Sequence, residues 1–185
     1  MKEDKYIDKA ITLFKKEGIS MSIETIAESI GVTKKTLYNN FESKDGLIDK
    51  CMSKVIADLD RDLECLNDET KDLRTCFSEG ICVLVNFFRE TSPKFLSGMM
   101  KYYPQLASSD HDAGRELFNQ KLHQHIARGQ KEGVYRQEID SKLISGYISY
   151  SIFSYFKKSV MHDGDFAAEH YFNQVIDFNL KALQN

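Results

Sequence analysis

Only two prolines stand in this 185-residue chain, and it holds no glycine-rich phosphate loop, no nucleophile motif and no CxxC pair. Each gap removes a class of protein. Scarce proline together with the absence of turn-rich alternating runs argues against a β-sandwich or barrel and predicts an all-α chain. The four cysteines, Cys51, Cys65, Cys76 and Cys82, lack metal-ligand spacing and three fall in helical stretches, so buried free thiols are expected. His123 and His125 lie two apart, on different sides of a helix, whereas a metal pair needs spacing of three or four. No catalysis, metal or cofactor is expected.

Long hydrophobic runs are missing too. The longest, "ICVLVNFF" at 81–88, is far shorter than the roughly 20 apolar residues that span a bilayer. The N-terminus is charged rather than apolar, so no signal peptide and a cytoplasmic location are expected. No repeat or low-complexity segment appears. Nor is there an excess of positive charge, because residues 1–50 hold nine lysines and nine acidic residues and the whole chain carries a net charge of −3. A generic basic nucleic-acid surface is excluded, so any DNA binding would be weak without sequence recognition and would rely on a dimer.

What is present is concentrated in "GVTKKTLYNNFESKDGLID", residues 31–49. Leu37 and Phe41, four apart, share one face of a helix. At about 100° per residue, Lys35, Thr36 and Asn39 then point away from them, with Lys34 and Tyr38 on one flank and Asn40 on the other. Thr33 is a suitable N-cap, and Gly31 suits the left-handed residue that closes a preceding helix. That helix is predicted from Ser22, with Ile23, Ile26, Ala27 and Ile30 at helical spacing. A first helix carries Ile7, Ala10, Ile11 and Phe14 and stops near Gly18. Ser43 caps a fourth, which begins at Lys44 and turns Leu47, Ile48, Cys51, Met52 and Val55 inward. Two short helices joined by a tight turn make a helix-turn-helix, whose second helix enters the DNA major groove.

Three stretches, "AITLFKKEG" (10–18), "SIETIAESIGVTKKTLYNNFESKDGLI" (22–48) and, less distinctively, "GQKEGVYRQEID" (129–140), resemble the TetR family of bacterial transcriptional regulators. The middle one is the specific part, in Ile26-Ala27, Gly31-Val32, Thr36-Leu37-Tyr38, Phe41 and Ser43-Lys44-Asp45. The resemblance implies a DNA-facing set of Thr25, Lys34, Lys35, Thr36, Tyr38, Asn39, Asn40 and Lys44. Within it, Thr36, Tyr38 and Lys44 would hold phosphates, and Lys35 and Asn39 would reach base edges. Lys35 stands where many members carry a small residue, and Asn40 where many carry His or Tyr, so other members' base preferences do not transfer.

The resemblance divides the chain into a three-helix DNA-binding domain at 1–47 and a larger helical effector-binding and dimerisation domain at 48–185. In the latter, helices are predicted over 47–66, 70–91, 93–106, 112–132, 140–161 and 166–183. The last two are apolar nearly all round, which implies burial on two sides. Either they are internal core or, as the family implies, they form a homodimer interface. Candidates for that interface are Ile148, Ile152, Tyr155, Phe172 and Ile176. Phe77, Ile81, Leu84, Phe88, Met99, Tyr103, Phe118, Leu122, His125 and Tyr147 are either plain core or the lining of an effector cavity. The function expected is a sequence-specific regulator of transcription, a repressor released from double-stranded operator DNA by a small apolar or aromatic effector. The alternative is an architectural DNA-binding protein of the same fold without an effector.

Overall fold

The computed structural model describes residues 2–104, 113–162 and 168–184. Among these residues there are nine α-helices and one 3-10 turn, and no β-strand beyond a single bridge between Tyr135 and Gln184. The helices are α1 (Lys2–Glu17), α2 (Ile23–Ile30), α3 (Lys34–Phe41), α4 (Lys44–Asp62), α5 (Leu73–Arg89), α6 (Pro93–Tyr102), α7 (Ala113–Lys131), α8 (Ser141–His162) and α9 (Ala168–Leu183). Ser22, Thr33, Ser43, Asp72 and Ser92 each accept a hydrogen bond from a backbone N–H in the first turn of the helix they precede. These caps satisfy donors that a helix start otherwise leaves open.

Helices α1 to α3 and the start of α4 close a small core of Ala10, Phe14, Ile26, Ile30, Leu37, Phe41, Leu47 and Ile48, all buried. The division expected at 47/48 falls inside α4, which runs unbroken from one core into the next. Its first half packs on α1, where the Cys51 thiol lies against the Ile7 carbonyl, and its second half packs on α5 and α7. The predicted segment 47–66 is thus a helix that tightens into the 3-10 turn Leu63–Asn67. Farther on, α7 and α8 pack along their length with Ser145 and Ser149 fully buried, and α9 lies on α5.

Two expectations are corrected here. Cys82 is exposed, because it follows Ile81 by one residue and so turns about 100° off the inner face of α5. Ile148, Ile152 and Ile176 are exposed by only 2%, 5% and 9% within the single chain, so they offer little surface to a partner. Helices α5, α6 and α7 flank α8, and α9 lies across a narrow groove from it, so the chain covers these isoleucines itself. The side chain of Phe172 lies outside the described residues.

Candidate nucleic-acid interface and effector cavity

The turn between α2 and α3 is built from the backbone outward. Gly31 adopts φ 77°, which places its N–H on the Glu28 carbonyl and the Val32 N–H on the Ala27 carbonyl, 2.9 Å away. A side chain at that φ would strain the turn. Lys9 covers the end of α2, its ammonium 2.8 Å from the Ile30 carbonyl. Thr33 then starts α3, its hydroxyl accepting from the Thr36 N–H at 3.1 Å.

With Leu37 and Phe41 sunk in the core, α3 presents Lys34, Lys35, Tyr38 and Asn39 to solvent. Lys35 and Asn39 have no side-chain partner among the described residues. Their donors therefore face solvent. Lys34 is different, because its ammonium is held by the Glu24 carboxylate on α2 and lies 5.6 Å from the centre of the Tyr38 ring. Each partner stabilises the other's charge: Lys34 holds the Glu24 carboxyl below its ordinary range, and Glu24 raises the Lys34 ammonium above its own. Thr36 and Asn40 are half-buried. The Thr36 hydroxyl shares a hydrogen bond with Thr33, and the Asn40 amide donates to the Thr36 carbonyl at 2.7 Å, so Asn40 is engaged within its own helix. Thr25 is exposed beside Ser22, at 3.0 Å between hydroxyls.

Helix α3 ends in a three-residue reversal. Glu42 sits at φ 59°, ψ −44°, and the Ser43 N–H turns back onto the Phe41 carbonyl. This is a γ-turn of the strained, positive-φ kind, occupied by a residue with a side chain. Space is as tight as the angles, since a Cβ on Gly46 would stand 2.4 Å from the Phe41 carbonyl oxygen. The reversal sets Lys44, half-buried at the first position of α4, close behind α3.

The larger domain holds a half-open apolar cavity of about 420 Å³. Its walls are Met52, Val55 and Ile56 of α4, Phe87 and Phe88 of α5, Phe95, Leu96 and Met99 of α6, and Phe153 of α8, with Asp49, Ser53 and Lys157 as the polar members. Aromatic rings brace one wall, Phe88 against Phe153 at 5.3 Å and Phe156 at 4.8 Å. Of the ten residues named from sequence for an effector site, Phe88 and Met99 line this cavity. Phe77, Ile81, Leu84, Phe118 and Leu122 are fully buried outside its lining, and Tyr147 lies on the outer side of α8, 62% exposed. Phe87 and Phe153 line it although their spacing gave no such signal. Periodicity marks apolar residues as inward-facing but does not mark where packing leaves a gap.

His125 is held as structure. Its Nδ1–H donates to the Leu66 carbonyl at 2.7 Å, and its Nε2 accepts from the Tyr135 hydroxyl at 2.9 Å. A carbonyl accepts only, which fixes the neutral tautomer. Burial pushes the imidazole down to about 4. Tyr103 is a link rather than a cavity wall. It follows the last residue of α6, and its hydroxyl donates to the Asp45 carboxylate in the first turn of α4. Burial and the Asp45 bond push this phenol above its ordinary range.

The outward stripe of α8 is Leu143, Tyr147, Tyr150 and Met161, at helical spacing, with Phe178 of α9 nearby at 68% exposure. Tyr155 is 37% exposed at its edge. Between α8 and α9 runs a shallow groove bordered by Tyr147 and Phe178 and floored by Ile148 and Ile152. No helix among the described residues is long and apolar enough to cross a membrane.

Residues 7–51 match the family described as bacterial regulatory proteins, tetR family. The fold matches the Escherichia coli protein NemR in its reduced form with a TM-score of 0.79 at 14% identity, over 99% of this chain and 96% of that one. It matches the fatty acid degradation regulator FadR of Bacillus halodurans at 0.76 and 17% identity, over 97% and 94%. It also matches SmeT, the repressor of the Stenotrophomonas maltophilia multidrug efflux pump SmeDEF, at 0.71 and 17% identity, over 99% and 90%. Comparison with curated proteins finds no match. A helix-turn-helix with its donors outward and the match over α1 to α4 agree: residues 7–51 form a segment of the kind found in bacterial regulatory proteins of the tetR family, and the whole chain shares its fold with solved structures of such regulators.

Proposed function

We propose that the chain is a homodimeric, sequence-specific repressor that leaves its operator when a small apolar or aromatic molecule enters the cavity between α4, α5, α6 and α8. The carrying observation is the outer face of α3, where Lys35 and Asn39 stand exposed on a helix fixed by a capped turn. Lysine and asparagine match guanine and adenine edges in the major groove, while Tyr38, Thr36 and Lys44 would hold phosphates. One recognition helix on a charge-balanced domain is too little for tight binding, so two must be held together. The tyrosine stripe of α8 with Phe178 of α9 suits that task, being large, apolar in body and polar at the tip.

Release follows from how the cavity is framed. Met99 lines it on α6, and four residues later Tyr103 grips Asp45 at the start of α4; Met52 and Val55 line it on α4 itself. At the other end of α6, the Ser92 N–H donates to the Lys15 carbonyl at 2.9 Å, tying the same helix to α1. A ligand that prefers a wider α4–α6 spacing therefore moves the helix that carries Lys44 and, through it, α3. One fold neighbour is described as a repressor, which agrees with this direction of control. Genome-wide mapping of bound sites tests the proposal. Few strong sites at promoters are expected, and broad weak occupancy would instead mean an architectural role. Lys35→Ala or Asn39→Ala should cost roughly 1–3 kcal/mol on the selected site and relax one base position each.

A further inference from the structure

We infer that Glu24 and Lys34 act as one unit that selects a C·G base pair and suppresses binding to random DNA. This rests on the DNA-binding reading above. The two residues come from different helices, Glu24 from the first turn of α2 and Lys34 from the first position of α3, and the Gly31 turn brings their side chains together. Both remain about half exposed, at 57% and 50%, beside the Tyr38 ring that the Lys34 ammonium approaches. An ion pair so exposed is weak and exchanges readily for other partners.

The pairing has two consequences. Toward random duplex, where affinity comes from lysines displacing counterions, Lys34 already has a carboxylate beside it and contributes less than an unpaired lysine. Lys9 is likewise turned inward, onto the Ile30 carbonyl. That leaves Lys35 as the lysine of α3 without a side-chain partner among the described residues, in a unit whose charges balance. Toward a seated site, separating the pair is favourable only if the carboxylate gains a donor in exchange. Among base edges in the major groove, cytosine offers one in its N4 amino group without an adjacent acceptor, and the guanine opposite offers O6 and N7 to the ammonium. A C·G pair thus replaces both halves of the ion pair at once, whereas A·T presents the carboxylate with thymine O4 or adenine N7 beside the adenine amino group.

Glu24 also lies where its charge favours the N-terminus of α2, and a role confined to that would alter stability alone. The experiment separates the two. Wild type, Glu24→Gln, Lys34→Ala and the double variant are each used to select sequences from a random duplex pool, and affinity for an unselected random duplex is measured across a KCl series, with circular dichroism melting as a folding control. Glu24→Gln should bind random duplex several-fold tighter with a steeper salt dependence, by about one unit of slope per recognition helix, and its consensus should lose preference at one C·G position per half-site. The double variant should lose the gain, because the freed lysine is gone. Unchanged consensus and random affinity in a folded Glu24→Gln, or a gain that persists in the double variant, overturns the inference while leaving the DNA-binding reading intact. A wild type that enriches no sequence overturns both.

Discussion

Among the described residues, α3 and α8 each leave a row of side chains uncovered, and they do so with opposite chemistry. On α3 the exposed side chains are lysines, an asparagine and one tyrosine; on α8 they are Leu143, Tyr147, Tyr150 and Met161. A donor-rich face is satisfied by water or phosphate and has no need of a partner to be stable. An aromatic face gains by being covered, as the core of an interface between subunits is. The contrast also governs what lies behind each surface. Leu37 and Phe41 are the two large apolar anchors of α3, whereas α8 is apolar on its inner side as well, through Ile148, Ile152, Phe153 and Phe156.

The sharpest way to break the comparison is to place a charge on each side of α8. Ile148→Glu puts a carboxylate where the side chain is 2% exposed, and should cost on the order of 3–5 kcal/mol, seen as a large fall in melting temperature. Tyr150→Glu, at 58% exposure, should leave the helices intact by circular dichroism. It should yield monomers in sedimentation and lower DNA affinity at least about tenfold. If the two variants behave alike, α8 does not have the two distinct faces described.

A perturbation that touches neither surface comes from acid. His125 is neutral and buried, with a folded-state value of about 4 against 6.5 for a free imidazole. Between those values the unfolded chain binds more protons than the folded one. The stability this contributes is therefore complete above about pH 6.5 and is lost as pH falls toward 4, by roughly 3 kcal/mol in all. Urea midpoints at pH 7 and pH 4.5 should differ accordingly, and His125→Phe should flatten that window. The smallest effect is at the end of α3. Glu42→Gly removes a side chain from the strained φ of 59° and should raise stability by about 1 kcal/mol or less, after the added flexibility of glycine in the unfolded chain. A loss of stability would mean the Glu42 side chain makes contacts that outweigh the strain.

The helix-turn-helix was legible because its signals are local. Ser22, Thr33 and Ser43 cap the helices that their side chains suit, Gly31 closes α2, and two apolar anchors on α3 leave one orientation for the rest. The pairing of Lys34 with Glu24 was not legible, because the residues are ten apart and meet only through the angle between α2 and α3. For the larger domain the helices could be placed to within a few residues, yet their faces could not. An apolar residue such as Phe118 or Phe153 has the same spacing whether it fills a core or borders a gap.

The sequence by itself determined the class, the helices to within a few residues and the outward face of α3, since caps, glycine and the 3.6-residue period act within a few residues of chain; the expected ends at 106, 112 and 166 lie outside the described residues. Tertiary structure alone decided that Ile148 and Ile152 turn inward while Tyr147 and Tyr150 turn outward. It also decided that Phe88 and Met99 border a cavity while Phe77 and Leu122 do not, and that His125 is held by Leu66 and Tyr135. Each of these depends on which helices come to lie beside a residue, and that is set by packing among segments far apart in the chain rather than by any property of the residue's own neighbours.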